Sequence, residues 1–294
     1  MRHLLGPCQR YCQNARVTRR TLVAVHAHPD DEALLSAGTL ARAVREGHRV
    51  VLVLATRGEV GQVGEGVLGD SEDLGGRRTH EAEASAEAIG VERLVFLDYT
   101  DSGHGPGPDG GWPAGSLCGA DLGEVADRIA AVLVDLDADL VIGDDRNGGY
   151  GHPDHRRVHE AVRQAADLTG VPMLEATIDR DFLAGGIALA ESMGVDVPAG
   201  FVPPDLSEWY TPAVEITHAI DVTTDLAAKR ASMEAHVSQT TGAADTVRTL
   251  AVFLALPDEL FAMAFGTEWF VHRGAPTEPR ATALFAGPPG PCPT

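Results

Sequence analysis

Short apolar runs rich in β-branched residues alternate along the chain with longer segments in which apolar residues recur every three or four positions. The short runs predict strands at 21–27, 49–55, 93–98, 139–143 and 173–178. The longer segments predict helices at 31–46, 77–89, 122–136, 155–168 and 225–240. This alternation is typical of an α/β protein whose parallel sheet is flanked by helices.

The two ends of the chain lack this pattern. Residues 1–20 contain five arginines but no apolar core of a secretion signal. We expect a disordered extension there, or a true start of the chain near Val17. Residues 273–294 are rich in proline and glycine and are expected to form a disordered tail. Residues 21–272 are therefore predicted to form a single domain.

The charge balance restricts the partners that the protein can bind. The chain has 43 acidic and 23 basic side chains, and its formal net charge is −20. Such a field repels phosphate backbones and anionic lipid, so we expect neither nucleic acid nor a membrane as a partner. No apolar run approaches the roughly 20 residues of a membrane helix. A cytoplasmic protein that acts on a small molecule is expected, and a homo-oligomer remains an open alternative.

Polar, titratable loops follow four of the predicted strands, at 27–32, 56–76, 99–104 and 144–155. The carboxyl ends of parallel strands lie at one edge of a sheet, where the chemistry of such folds gathers. The sequence therefore predicts that these four loops surround one site.

The first and last of these loops contain candidate metal ligands. His28 and Asp31 are three residues apart across a strand-to-helix turn, so both can reach one cation, and His155 can complete the set. Three nitrogen and oxygen ligands leave one tetrahedral position open, as a catalytic zinc site requires. Asp30 points away from Asp31 and can act as a base. An alternative interpretation is that the acidic residues only complement the start of a helix.

Two motifs carry a resemblance to a known family. The segment AHPDDE at 27–32, together with NGGYGHPDH at 147–155, resembles the LmbE-like, or PIG-L-type, deacetylases. Within that family the likeness is greatest to the N-acetylglucosaminyl-inositol deacetylases of mycothiol biosynthesis and to the mycothiol S-conjugate amidases. The resemblance implies a Rossmann-like fold with a smaller C-terminal α+β portion.

The resemblance also implies the roles of individual residues. It implies a zinc ion, with Fe²⁺ as the alternative metal, and Asp30 as general base. His152 and Tyr150 are expected to stabilise the tetrahedral intermediate, with His152 also a candidate proton donor. The implied metal ligands are His28, Asp31 and His155. We expect Asp154 to orient one of the histidines.

The expected substrate contacts are less specific. The resemblance assigns Arg78, Asp101 and Glu59 to the substrate pocket. His104 replaces an apolar residue that the mycothiol enzymes usually have, so it either faces solvent or changes the substrate preference. Glu81 lies three residues after Arg78, a spacing that allows an ion pair between them.

Together these features predict a zinc-dependent hydrolase that removes an N-acetyl group from a glucosamine-containing small molecule. The alternative enzyme is an amidase for thiol S-conjugates, which would share every catalytic residue. A sugar-binding protein without catalysis is the alternative from another class. A nucleotide-dependent enzyme is disfavoured because the glycines after the second strand do not open directly into a helix.

Overall fold

The computed structural model describes residues 19–64, 66–192, 205–241 and 248–285. Its centre is a seven-stranded sheet in the order β3-β2-β1-β4-β5-β7-β6. The first five strands are parallel, and the last two, β6 and β7, pair antiparallel with their neighbours. The strands are β1 Thr21–His26, β2 Arg49–Leu54, β3 Arg93–Phe96, β4 Leu140–Asp144, β5 Met173–Thr177, β6 His218–Asp221 and β7 Thr267–Val271.

Helices cover both faces of this sheet. The helices of the parallel part are α1 Asp31–Leu35, α2 Ala37–Arg45, α3 Leu74–Ile89, α4 Leu122–Asp135, α5 Pro153–Thr169 and α6 Arg180–Ser192. Those of the C-terminal part are α7 Leu226–Ala235, α8 Val237–Thr240, α9 Thr249–Leu254 and α10 Asp258–Phe265. The predicted α/β class, the flanked parallel sheet and the smaller C-terminal α+β portion are confirmed.

The continuous apolar runs of β1 and β2 have a physical explanation. Alternate side chains of a strand point to opposite faces, and both faces of this sheet are covered. In β1, Leu22 and Ala24 pack into one core cluster, whereas Val23 and Val25 pack into the other. All four residues are buried. The sequence pattern therefore reports a strand in the middle of a covered sheet.

The predicted helix 31–46 is wrong in one respect, because it is two helices. Ser36 leaves the helical conformation, with a φ of −143°. Its hydroxyl is 2.9 Å from His26 Nε2, and the new helix begins with Gly38 and Thr39 donating their backbone N–H groups to Glu268. The distant Glu268 carboxylate thus caps α2 and makes a second helix start possible.

The predicted helix 225–240 is also divided, at His236, whose backbone φ and ψ are −83° and 61°. The strands β6 and β7, of four and five residues, were not predicted. Among the described helices, none combines the length and apolar composition needed to cross a bilayer.

Part of the expected C-terminal tail is described, and it contacts the domain. Arg273 pairs with Glu175 at 2.7 Å, and Ala281 forms a β-bridge with His218. The predicted extension at 1–20 lies almost entirely outside the described residues. The boundaries of the domain stay a prediction.

The strand order places the site. Chain connections run outward in opposite directions from β1 and β4, so the loops that follow these two neighbouring strands border a crevice at their carboxyl ends. These are the loops that contain the two motifs.

Candidate functional site

The first motif forms the tight turn between β1 and α1. The backbone N–H of His28 donates to Asp31 Oδ2 at 2.8 Å, and Asp31 is the first residue of α1. This bond holds the Asp31 carboxylate back against the turn, 3.5 Å from His28 Nδ1. The spacing of three residues therefore brings one imidazole and one carboxylate together, as predicted.

The second motif forms the loop between β4 and α5. His152 precedes the helix, and its Nδ1 accepts the backbone N–H of Asp154 at 3.2 Å. Pro153 occupies the first helical position, where a missing N–H costs nothing. His155 then lies in the first turn, with Nε2 3.4 Å from Asp31 Oδ1. The two motifs thus meet at Asp31.

Within the described residues, three groups of side chains have nitrogen or oxygen atoms within 4.8 Å of one another and could hold a metal ion. They are His28 with His152 and His155, His28 with Asp101 and Asp154, and Asp31 with Asp144 and His155. The predicted ligands His28, Asp31 and His155 all belong to these overlapping groups. All three groups lie at the carboxyl edge of the sheet.

Two carboxylates flank the far side of His28. Its Nε2 is 3.2 Å from Asp154 Oδ2 and 3.6 Å from Asp101 Oδ1. Asp154 is fully buried and also accepts the backbone N–H of Ser102 at 2.9 Å. Although burial lowers the pKa of His28, these carboxylates together with Asp31 raise it well above its usual value. The structure thus places the predicted orienting residue, Asp154, directly against a histidine.

Asp144 is a buried site residue that the sequence reasoning missed. It is the last residue of β4, and its two carboxylate oxygens face two histidines, His26 Nδ1 at 2.7 Å and His155 Nδ1 at 3.0 Å. Although burial lowers the pKa of His155, Asp31 and Asp144 raise it to about 9. The signal available in the sequence was the paired Asp144 and Asp145 at the end of a strand.

Asp30 has an unusual backbone and a fixed side chain. Its φ of 102° lies in the left-handed region that residues other than glycine rarely adopt. Arg78, buried on α3, lies with Nη2 3.1 Å from Asp30 Oδ2 and also donates to the carbonyls of Pro29 and Gly58. Burial raises the pKa of Asp30, and the nearby Arg78 opposes this shift. The Arg78 guanidinium therefore holds both the backbone of this turn and the side chain of Asp30.

His152, which belongs to one of the three metal-ligand groups, lies beside Tyr150 in the cluster. The ring of His152 is 4.8 Å from that of His28 and 5.9 Å from that of Tyr150, measured between centroids. Burial, together with the nearby His28 and His155, lowers the pKa of His152 to about 4. Tyr150 keeps 43% of its surface exposed. Tyr150 is therefore accessible from solvent, whereas His152 is buried.

A cavity of about 270 Å³ opens over this cluster. Eight predicted residues line it: His28, Asp30, Asp31, Arg78, Asp101, His104, Tyr150 and His152. His104 is exposed to solvent and also lines the cavity, with its ring 5.0 Å from that of His152. The two interpretations of His104 therefore both describe part of its position.

Two expected contacts differ in the structure. Glu59 is not among the residues that line this cavity, and its carboxylate instead accepts the backbone N–H of Asp101 at 3.3 Å. The predicted pairing of Glu81 with Arg78 is wrong. Glu81 accepts two hydrogen bonds from Ser238, at 2.8 Å from the backbone N–H and 2.7 Å from the hydroxyl.

Three polar residues on the cavity wall were not predicted: Gln62, Gln239 and Arg248. Gln239 donates to the carbonyl of Gln62 at 3.3 Å, which links the C-terminal part to the loop after β2. Arg248 Nε is buried without a hydrogen-bond partner in the described part of the chain. No spacing rule connects these positions with the motifs, although the segment 229–239 resembles a late segment of the same family.

Comparisons with known proteins show which sequences this chain is similar to. The sequence profile of the PIG-L family, described as GlcNAc-PI de-N-acetylase, matches residues 23–166. A 1D-myo-inositol 2-acetamido-2-deoxy-alpha-D-glucopyranoside deacetylase from Acidothermus cellulolyticus is 34% identical, with 91% of this chain and 95% of that protein covered. A protein of the same name from Nocardia farcinica is 36% identical, with 92% and 97% covered.

Solved structures share the fold at lower identity. The N,N'-diacetylchitobiose deacetylase from Pyrococcus horikoshii has a TM-score of 0.55 at 18% identity, with 92% of this chain and 93% of that chain covered. The 4-carboxy-2-hydroxymuconate hydratase from Pseudomonas putida has a TM-score of 0.56 at 17% identity, with 91% and 100% covered. Because a deacetylase and a hydratase both match, the fold alone does not decide the chemistry.

Proposed function

The chain belongs to the PIG-L family, and from this premise we propose that it hydrolyses the N-acetyl group of a glucosamine-containing small molecule. The products are acetate and the free amine. The supporting observation is the identity of 34% over 91% of the chain to a deacetylase for 1D-myo-inositol 2-acetamido-2-deoxy-alpha-D-glucopyranoside. That compound is the first substrate to test. We place the reaction in the cytoplasm.

The residues at the base of the cavity fit a zinc ion. Among the described residues, Nε2 of His155 is buried without a hydrogen-bond partner and lies 3.4 Å from Asp31 Oδ1. Imidazole nitrogens and carboxylate oxygens are the zinc ligands of catalytic sites. We propose His28, Asp31 and His155 as the ligands, with Fe²⁺ as the alternative metal. When bound, the ion lowers the pKa of water to about 7 and polarises the amide carbonyl.

Asp30 is the proposed general base. Its carboxylate lines the cavity beside Asp31, so it can accept the proton of the attacking water without acting as a ligand. The ion pair with Arg78 holds the side chain toward the cavity. Asp30 or His152 then returns a proton to the leaving amine, as the carbon–nitrogen bond breaks.

Tyr150 and His152 are the proposed groups that stabilise the developing oxyanion. Both line the cavity. A well-placed donor of this kind contributes about 3 kcal/mol to transition-state stabilisation. The orienting residues are Asp154, which lies against His28, and Asp144, which lies against His155.

The proposed substrate contacts are Asp101, His104 and Arg78, which line the cavity. Glu59 acts on the substrate through the backbone of Asp101, which it holds. Because the field of the whole chain is negative, a neutral amino sugar enters without the repulsion that a phosphorylated one meets.

The experiment is acetate release from the inositol glycoside by zinc-loaded wild type and by Asp30→Ala. Removal of a general base lowers kcat by about 10²- to 10⁴-fold. We expect that loss with the zinc content unchanged, since Asp30 is not a proposed ligand. Full turnover in Asp30→Ala would refute the proposed base, and zinc loss in Asp30→Ala would instead make Asp30 a ligand. Wild type without turnover would point to another N-acyl substrate, beginning with thiol S-conjugates.

A further inference from the structure

Glu32 is a buried carboxylate beneath the turn that contains Asp30, and the mechanism above does not use it. The residue has no exposed surface. Its Oε2 accepts the backbone N–H of Asp30 at 3.1 Å. Its Oε1 accepts the Ser85 hydroxyl at 2.6 Å and lies 2.7 Å from His236 Nε2. Glu32 thus joins the base to residues from two distant helical segments.

The peptide group between Pro29 and Asp30 is held at both of its polar atoms. Arg78 donates to the carbonyl of Pro29, and Glu32 accepts the N–H of Asp30. Two partners on opposite sides of one planar peptide group fix its rotation. That rotation determines the φ of Asp30, which is 102°.

A residue other than glycine keeps such a backbone only where its surroundings enforce it. Helix α1 contributes one restraint, because the carbonyl of Asp30 accepts the N–H of Leu34 at 3.2 Å. That bond leaves the preceding peptide group free to rotate. The restraint on that group comes from Arg78 and Glu32.

We propose that Glu32, held by His236 and Ser85, is a positioning residue that fixes the backbone of Asp30 and thereby aims its carboxylate at the reacting water. The assignment rests on the proposed function only in treating Asp30 as the base. His236 lies 204 residues after Glu32, so the C-terminal part acts on the base without lining the cavity at that position.

The structure offers a matched control in a second buried ion pair. Lys229 and Glu268 are 2.6 Å apart, with side chains that are 1% and 3% exposed. Glu268 also accepts two backbone N–H groups, those of Gly38 and Thr39 at 2.9 and 2.7 Å. It therefore resembles Glu32 in burial and bonding, but the peptide groups that it holds belong to α2 and not to the catalytic turn.

The test compares Glu32→Ala, Glu32→Gln and Glu268→Ala in the zinc-loaded full chain. A shift of about 1 Å in a catalytic group can lower the rate by about 100-fold. We expect Glu32→Ala to lower kcat by about 10- to 100-fold, with KM and zinc content unchanged. Glu32→Gln retains an oxygen for the Asp30 N–H and an amide that can face His236, so most of kcat is restored. Glu268→Ala lowers the thermal unfolding midpoint but leaves kcat per folded molecule unchanged.

Equal kcat losses in Glu32→Ala and Glu268→Ala would overturn the proposal, since Glu32 would then only support the fold. An unchanged kcat in Glu32→Ala would overturn it as well. If Glu32→Ala does not fold, Glu32→Asp is the replacement. It keeps the negative charge beside His236, but its side chain is too short to contact His236 and the Asp30 N–H together. Full kcat in Glu32→Asp would contradict the positioning role.

A crystal structure of Glu32→Ala, or of Glu32→Asp if Glu32→Ala does not fold, separates this proposal from the proposed function. We expect the φ of Asp30 to leave the region near 102°, and an unchanged φ would overturn the positioning role whatever the enzyme hydrolyses. Turnover retained in Asp30→Ala would instead count against the proposed base.

Discussion

The two motif loops differ in origin from the late wall of the cavity, which we define as Gln239 and Arg248 of the C-terminal part. His28 and Asp31, like His152 and His155, are three residues apart at the start of a helix, so local geometry sets their separation. Gln239 reaches the cavity through contacts over long sequence distances, such as the bonds of Ser238 to Glu81, 157 residues away. The proposed metal ligands and catalytic groups are thus set locally, and the wall is set by the tertiary fold.

This difference predicts a division of labour. Substitutions in the motif loops should remove metal or chemistry, because those side chains point into the metal-ligand cluster. Substitutions in the late wall should change substrate affinity, because Gln239 lines the cavity and belongs to none of the three metal-ligand groups. A change in substrate affinity alone for the motif loops, or a loss of zinc or of kcat for the late wall, would contradict this prediction.

The largest effect is expected for His155→Ala. The variant removes His155 Nε2, which has no hydrogen-bond partner in the described part of the chain, so zinc binding is lost and turnover falls to background. Zinc content by mass spectrometry and acetate release measure both results. The control is His80→Ala, an exposed histidine of α3, which should keep one zinc per chain. Full zinc content in His155→Ala would exclude it as a ligand.

A smaller effect is expected for Asp144→Asn. The carboxylate lies against Nδ1 of His155, and loss of such an orienting partner typically costs about 10- to 100-fold in metal affinity. Competition with a chelator measures the zinc affinity. Asp145→Asn is the matched control, since its carboxylate bonds Thr177 and the N–H of Gly149 and not a histidine. Equal losses of zinc affinity in both variants would contradict the role of Asp144 as the residue that orients His155.

The smallest effect is expected in the late wall. Ser238→Ala removes one of two bonds to Glu81, worth about 0.5–1.5 kcal/mol, and loosens the neighbouring Gln239. We expect KM to rise by about two- to tenfold with kcat nearly unchanged, as steady-state kinetics would show. Thr240→Ala is the control, because its hydroxyl bonds the carbonyl of Val237 within the same short helix. A drop in kcat at constant KM would contradict the prediction that the late wall affects substrate affinity and not the chemical step.

The same difference explains what could be predicted from the sequence. The five parallel strands and the polar loops at their ends follow from apolar runs and from the edge rule for parallel sheets. Asp144 was missed because its partners, His26 and His155, come from β1 and α5. Glu81 was assigned to Arg78 by helical spacing, but Ser238 offers it two donors and Arg78 is taken by backbone carbonyls. Contacts between distant segments are decided by packing, which spacing does not encode.

The most direct test of the account is acetate release from the inositol glycoside by protein stripped with a chelator, before and after zinc is returned. We predict no turnover in the stripped protein and full turnover at one zinc per chain. Full turnover in the stripped protein, or zinc binding that restores none, would contradict a metal-dependent deacetylase built on these two loops.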